Sequence, residues 1–435
     1  MKEPPEAGSR GAGDVLAIGF GTTVGMWAIG YLARLPVVLA PPSIVLMSLL
    51  VTLVAGGYVA GSRGERGARG GAYVGALTGV LNLLVLGSFL SSEGRENALV
   101  PSAAFWFPGS IVFSSVLGTV GGWLGARRKD PAREQPDWTA VLARVAVGAT
   151  FLLLVAGGLV TGNQAGLAVL DWPNSYGYNM FLYPFARMTG GIYYEHAHRL
   201  LGALVGLTTV TLAFHLARVE TRAFVKRMGL IAVALVIVQG ILGGLRVTKT
   251  SIELAVVHGV TAQVFLSLLV AIAVVCTRTW RSDLAPVPSR TAGADRRIAT
   301  IAMAALLIQI IFGAIQRHLA VGLMLHIVFA FVVAGLTIAA GARAWGFYPN
   351  ASVLRRAGLA VIHLTGVQLT LGFCAWIARG AATSGSLSLE WTIVVTTLHQ
   401  GTGAALLAAA VTLRLWLTRS LTEASYFASA SQPSP

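Results

Sequence analysis

Charge is the scarcest commodity in this chain. Of 435 residues only 11% are charged while 55% are hydrophobic, and mean hydropathy is +0.73. A soluble domain carries about 25% charged residues, so a soluble globular fold is excluded and a polytopic membrane protein is expected. Cysteine is nearly absent. Cys276 and Cys374 stand alone without a C-x-x-C, which excludes a thiol relay or a cysteine-built metal site; both read as small apolar core residues. Acidic residues are few, 17 against 32 Lys and Arg, giving a net charge of +15. Such a balance can mark a nucleic-acid binder, but here the basic residues fall in short loops between apolar runs, so no nucleic-acid partner is expected. The first apolar stretch is too long for the core of a secretory signal, so no cleavable signal is expected.

What the chain has is long apolar runs. A bilayer span takes about 20 residues, and twelve windows qualify: 14–33, 40–61, 71–91, 104–126, 138–160, 193–217, 227–246, 251–276, 297–316, 321–342, 354–377 and 389–416. With the N-terminus inside, most of the basic residues lie in inside segments, among them Arg63, Arg66 and Arg69, Arg127, Arg128 and Lys129, and Arg296 and Arg297. This obeys the positive-inside rule and predicts a multi-pass protein of the cell inner (plasma) membrane with both termini cytoplasmic. The polar stretch 127–137 reads as a linker. It divides an N-terminal four-helix region, 1–130, which lacks histidine and is rich in small residues over Gly56–Gly75, from a part holding every histidine. That second part shows a weak repeat: Gln239 to Arg246 is echoed by Gln309 to Arg317, and His258-Gly259-Val260-Thr261-Ala262 by His399 to Ala404. The expected fold class is all-α, with the N-terminal region followed by two similar four-helix bundles, 138–276 and 297–416. The N-terminal region is expected to serve packing, assembly or partner docking.

The chemistry is expected around Tyr193-Tyr194-Glu195-His196-Ala197-His198-Arg199. Glu195 and His198 are three apart and share one helical face. Ionisable groups in a membrane helix are costly and mark function more often than not. His198, His258, His326 and His399 each fall early in helices that start from the outer side, two in each bundle. Paired imidazoles from facing helices suit the axial positions of a haem iron in a bundle core. Arg199, Arg246 and Arg317 stand at the outer boundary, where haem propionates would find them; ordinary snorkelling is the plainer reading of each. His196 points to another face and reads as interfacial, with a ligand role as its alternative; His215 lies near an inner helix end, His318 sits beside Arg317 within reach of a propionate, and His363 reads as a hydrogen-bonded core residue. The long outer loop 161–192 is expected to cover the mouth of the first bundle.

Over residues 138–416 the chain resembles haem A synthase. The resemblance rests on Gly157-Gly158-Leu159-Val160-Thr161-Gly162, Gly166-Leu167-Ala168, Asp171-Trp172-Pro173, Glu195-x-x-His198-Arg199, Gln239 to Arg246, His258, Gln309 to His318, His326 and His399. It implies an enzyme that oxidises the C8 methyl of haem O to a formyl, giving haem A for terminal oxidases. His198 and His258 would then flank the substrate haem, Glu195 would be the catalytic carboxylate, and His326 and His399 would hold a resident haem B iron. Haem O synthase, and an electron donor or acceptor, are the implied partners beside the lipid bilayer. Two departures stand out: the outer loop lacks the cysteine pair of many bacterial members, and the resemblance leaves 1–130 uncovered. One rival reading is a di-haem electron carrier of the cytochrome b kind; a second is a transporter, prompted by twelve spans and a repeat, but no charged residues fall near the midplane where its substrate site is expected.

Overall fold

In a membrane every backbone N–H and C=O must be satisfied within the chain, so helices are the natural outcome of these apolar runs. The computed structural model describes residues 7–423, except 36, 37, 93, 94, 284, 384 and 386, with side chains from residue 12 onward. Twelve helices are long and apolar enough to span a bilayer: α1 Ala7–Ala33, α2 Pro42–Arg63, α3 Ala68–Phe89, α4 Ala103–Ala126, α5 Trp138–Gly162, α6 Gly190–Val219, α7 Ala223–Thr248, α8 Ile252–Val275, α10 Ala292–Leu319, α11 Leu323–Gly346, α12 Ser352–Thr383 and α13 Leu389–Ser420. The short α9, Arg278–Arg281, lies outside the membrane set, and β1 (Val287–Ser289) pairs in parallel with β2 (Leu421–Glu423). The expected all-α polytopic class is what the chain adopts. Local chemistry sets the ends. Pro42 opens α2 where its missing N–H costs nothing, and the Asp137 carboxylate caps α5 by accepting from Ala140 N.

The helices form two compact units, residues 1–251 and 252–435. The sequence reading divides the chain at 130 and again after 276; by packing, α8 falls with the second unit, where it lies against α10 and α13.

In the first unit α4 packs on α2 and α3 through glycines whose missing side chains permit backbone contact. A Cβ at Gly118 would meet Gly71 O at 2.3 Å, and one at Gly57 would meet Gly118 O at 2.2 Å. Small residues at helix contacts are how membrane helices gain close packing. The polar stretch 127–137 does not isolate these helices from α5 and α6. Phe20 of α1, Leu81 of α3 and Leu204 of α6 share one core with Trp27, Leu77 and Val145 packed against it. Within this region Trp27 donates to Asn82 Oδ1 (2.9 Å), and buried Asp14 accepts from Glu65 N and pairs with Arg66.

The second unit has a core running from Ala292 and Leu306 through Val333 and Val361 to Leu413 and Leu417. Near its β-ribbon end the buried Asp295 pairs with Arg343 (2.5 Å) and accepts from Tyr348 and Thr291. Two readings need correction here. Cys276 is buried as expected, but Cys374 is exposed. His363 is also exposed, its ring Nδ1 lying 2.7 Å from Leu359 O one turn earlier. Both residues lie on the face of α12 turned away from the unit's core.

The glycine contacts generate a sharp expectation. Gly118→Leu should destabilise the first unit by about 1–3 kcal/mol or more, the range for overpacking. Gly109→Leu on the same helix, where a Cβ meets only Phe105 at 4.0 Å, should be near neutral. Thermal unfolding in detergent compares the two, and equal behaviour would remove the packing argument.

Candidate functional site

In the first unit the site is built where α6 begins. Glu195 is 3% exposed. One of its oxygens accepts from Arg199 Nε (3.3 Å), one turn on, while Oε2 is buried without a hydrogen-bond partner. The Arg199 side chain is itself only 7% exposed. Its remaining bonds go to the loop over the site: Nη1 donates to Asp171 O (2.7 Å) and Asn174 O (2.9 Å), and Nη2 to Val169 O (2.7 Å). The expected propionate donor is thus a residue that fastens a loop and orients a carboxylate. A guanidinium suits this task because its planar fork supplies several donors in fixed directions.

His196 departs from the expected interfacial place. It is fully buried, its Nδ1 lies 3.0 Å from Ser175 Oγ in the same loop, and Tyr183 packs on its ring. No local sequence signal marks this, because the partner is 21 residues away in irregular chain. The loop's other motif residues also meet helices. Trp172 lies on Gly244 of α7, where a Cβ would fall 2.5 Å from the indole, and Gly166 leaves room for the Arg246 guanidinium, which a Cβ would strike. Arg246 therefore also reaches the loop. Asp171 closes it by accepting from Tyr176 N and Gly177 N, both 2.8 Å. Partial burial works against its ionisation, yet those two N–H groups and nearby Arg199 hold its carboxyl below the usual range.

His198 lies on α6 one turn beyond Glu195, half-buried, with its ring edge against α5. A Cβ at Gly157 would stand 3.1 Å from His198 Cε1. The second unit repeats this contact twice. A Cβ at Gly313 of α10 would stand 3.0 Å from His326 Cε1, and one at Gly372 of α12 would stand 3.0 Å from His399 Cε1. A Cβ at any of the three would crowd the imidazole, so a larger residue there would require the ring to give by a few tenths of an ångström.

Glutamines complete the second-unit pair. Gln309, four residues before Gly313, donates from Nε2 to His326 O (2.9 Å) and lies 3.2 Å from the ring. Gln368, four residues before Gly372, lies 3.4 Å from His399 Nε2. The weak repeat of Gln239 to Arg246 and Gln309 to Arg317 carries this Gln-x-x-x-Gly spacing, in Gln239 with Gly243 and Gln309 with Gly313; Gln368 with Gly372 has the same spacing but lies outside that repeat. The two rings stand 6.3 Å apart between centroids and nearly perpendicular, at 84°. A metal–imidazole bond of about 2 Å puts a ring centroid about 3 Å from the ion, so this spacing suits one metal between two rings. His399 Nδ1 is buried with no hydrogen-bond partner, a nitrogen that ligation would satisfy. These residues therefore fit an iron held by two imidazoles. Among the described residues no group of three or more His, Cys, Asp or Glu converges as a metal site, so ligation here needs an ion whose remaining positions are filled otherwise, as a porphyrin fills them.

Arg317 donates to Thr396 O on α13 (3.3 Å), and Arg379 to Gln316 Oε1, so basic groups gather at the end of α10 nearest the pair. His258 lies on α8 in the second unit and His198 on α6 in the first; their pairing is carried by the sequence reading.

Fold and site together define a multi-pass helical membrane protein with a buried acid–guanidinium segment in one unit and a glycine-backed imidazole pair in the other. Residues 183–327 match the family model COX15-CtaA, cytochrome oxidase assembly protein. The matched stretch holds Glu195, His198, Arg199, Arg246, His258, Arg317 and His326, and it supports a role in cytochrome oxidase assembly. No curated protein matches the chain.

Arg199→Lys keeps the charge but replaces the fork with one ammonium. It should destabilise the chain by about 3 kcal/mol, the scale for disrupting a buried, hydrogen-bonded charge. Thermal unfolding in detergent measures this; wild-type stability would show that the loop carbonyls do not depend on the fork.

Proposed function

We propose that the chain is a haem A synthase, oxidising the C8 methyl of substrate haem O to a formyl for terminal oxidases. The observation that carries this reading is Glu195: a buried carboxylate with one oxygen unpartnered, one turn from His198, inside the stretch that matches the cytochrome oxidase assembly family. The rival di-haem electron carrier accounts for the His326 and His399 pair but gives a buried acid beside His198 no task.

On this reading His198 and His258 flank the substrate haem, and His326 and His399 hold a resident haem B. When bound, that haem supplies one-electron redox chemistry that no side chain here possesses. The protein's own residues do the rest. Turning a methyl into a formyl with water as the oxygen source releases protons and electrons, so the site needs a proton acceptor and a means to stabilise positive charge near the reacting carbon. Glu195 Oε2 is the group for either task, and the Arg199 bond to the other oxygen fixes its direction. The loop from 163 to 189 covers this segment and limits water, which strengthens the field of the carboxylate. Arg246 and Arg317 stay candidates for propionate contact. Haem O synthase is the proposed supplier of substrate, and a membrane electron acceptor takes the electrons released. The proposed setting is the plasma membrane, both termini cytoplasmic and the covering loop outside.

His326→Ala and His399→Ala should each abolish the low-spin bis-histidine absorption spectrum of the purified protein, and retention of that spectrum in both would overturn the ligand assignment. Glu195→Gln keeps size and hydrogen bonding but cannot ionise. It should leave haem loading intact and lower haem A formation by about 100-fold or more, the scale of general acid–base catalysis. Pigment extraction from cells supplied with haem O reads the outcome; near-normal haem A would remove the catalytic role of Glu195.

A further inference from the structure

Residues 1–126 lie outside the family match, and the haem reading gives them no part. Their described side chains include neither histidine nor cysteine, so they offer no ligand to a haem. Their contacts suggest a different task. The loop 163–189 has little regular structure of its own beyond the short turn Phe185–Arg187 and one bridge, Ser175 to Tyr178. A loop this long in a compact unit is uncommon unless it is functional, and its order must come from neighbours.

On one side those neighbours are Arg199, His196, Gly244 and Arg246. On the other side they come from the N-terminal helices. Phe89, the last residue of α3, stacks on Phe185 at 3.9 Å between centroids, and Arg34 lies 4.3 Å from the same ring. Ser88 Oγ donates to Phe181 O (3.3 Å). Gly87 allows that carbonyl to approach, since a Cβ there would stand 2.5 Å from it. Past α3, Asn97 Oδ1 accepts from Asn179 N (2.5 Å). Asn97 holds its side chain there in a left-handed turn, φ 59°, a conformation that Asn tolerates better than most residues. At the start of α6, Tyr193 donates to Tyr31 O of α1 (2.6 Å) and stacks on the Tyr31 ring, both side chains being buried.

We propose that the N-terminal helices are a built-in clamp that holds the loop 163–189 against Glu195 and Arg199. The end of α3 and the turn carrying Asn97 grip the loop from one side while Arg199 and His196 grip it from the other. Phe89, Asn97 and Ser88 are positioning residues: they touch the loop and act on the acid segment only through it. The clamp is independent of the haem chemistry, so either can fail alone.

The test is hydrogen–deuterium exchange by mass spectrometry on the purified full chain in detergent, with no haem assay involved. Phe89→Ala removes the stack, and Asn97→Gly removes the acceptor without straining the left-handed turn. Phe89→Tyr and Asn97→Asp retain ring and acceptor. Both contacts lie at the exposed edge of the loop, and losing one of this kind raises local opening about threefold. Amides in 163–189 should therefore exchange about threefold faster in Phe89→Ala and in Asn97→Gly. They should return near wild-type rates in the two conservative variants, with α10–α13 unchanged throughout. Unchanged loop protection in both disruptive variants would overturn the clamp, and so would acceleration spread evenly over the whole chain, which marks general destabilisation. Should Phe89→Ala fail to fold, Asn97→Gly and Ser88→Ala decide the matter by the same readout.

Discussion

A guanidinium buried at a membrane helix end must have its donors satisfied, and Arg199 meets that demand in a way that fixes much of the first unit. Its bonds run to Glu195 on its own helix and to three carbonyls of a loop nearly thirty residues upstream. Of these residues Val169 is buried, and its carbonyl would otherwise be an acceptor shut away from water, which costs more than the bond is worth in water. One side chain therefore settles where the loop lies and which way Glu195 Oε1 points. The choice of arginine follows from geometry, since lysine offers three donors from one nitrogen and cannot reach three carbonyls and a carboxylate at once.

The long-range pattern was legible because a bilayer demands it. Hydrophobic windows located all twelve spans, with ends differing by a few residues; the window 40–61, for instance, became Pro42–Arg63. Glu195, His198, His326 and His399 draw the eye in the sequence because ionisable groups are rare in such windows. What the sequence concealed were the facts that depend on facing. His363 and Cys374 sit in a helix apolar on every side, so nothing local told the packed face from the exposed one, and both proved exposed. His196 was concealed for the opposite reason: it looks interfacial beside Tyr194 and His198, but Ser175 and Tyr183 from irregular chain enclose it. The polar stretch 127–137 suggested separation, whereas Phe20, Leu81 and Leu204 form one core across it. A loop's polarity says where chain meets water and nothing about whether its flanking helices share a core.

The glycine contacts add a distinction that the histidines alone do not make. His198, His326 and His399 meet their glycines at nearly identical distances, so three helix pairs use one geometry. Gln309 and Gln368 then sit four residues before Gly313 and Gly372, one helical turn away, where an amide reaches the imidazole. The matching position before Gly157 is Leu153, which offers no polar atom. A ligand held by a neighbouring side chain keeps its orientation better, and at this position the two second-unit histidines each have an amide beside the ring. On the proposed reading that support suits a haem held permanently, with the glycine admitting the ring and the residue one turn before it setting the ring's direction.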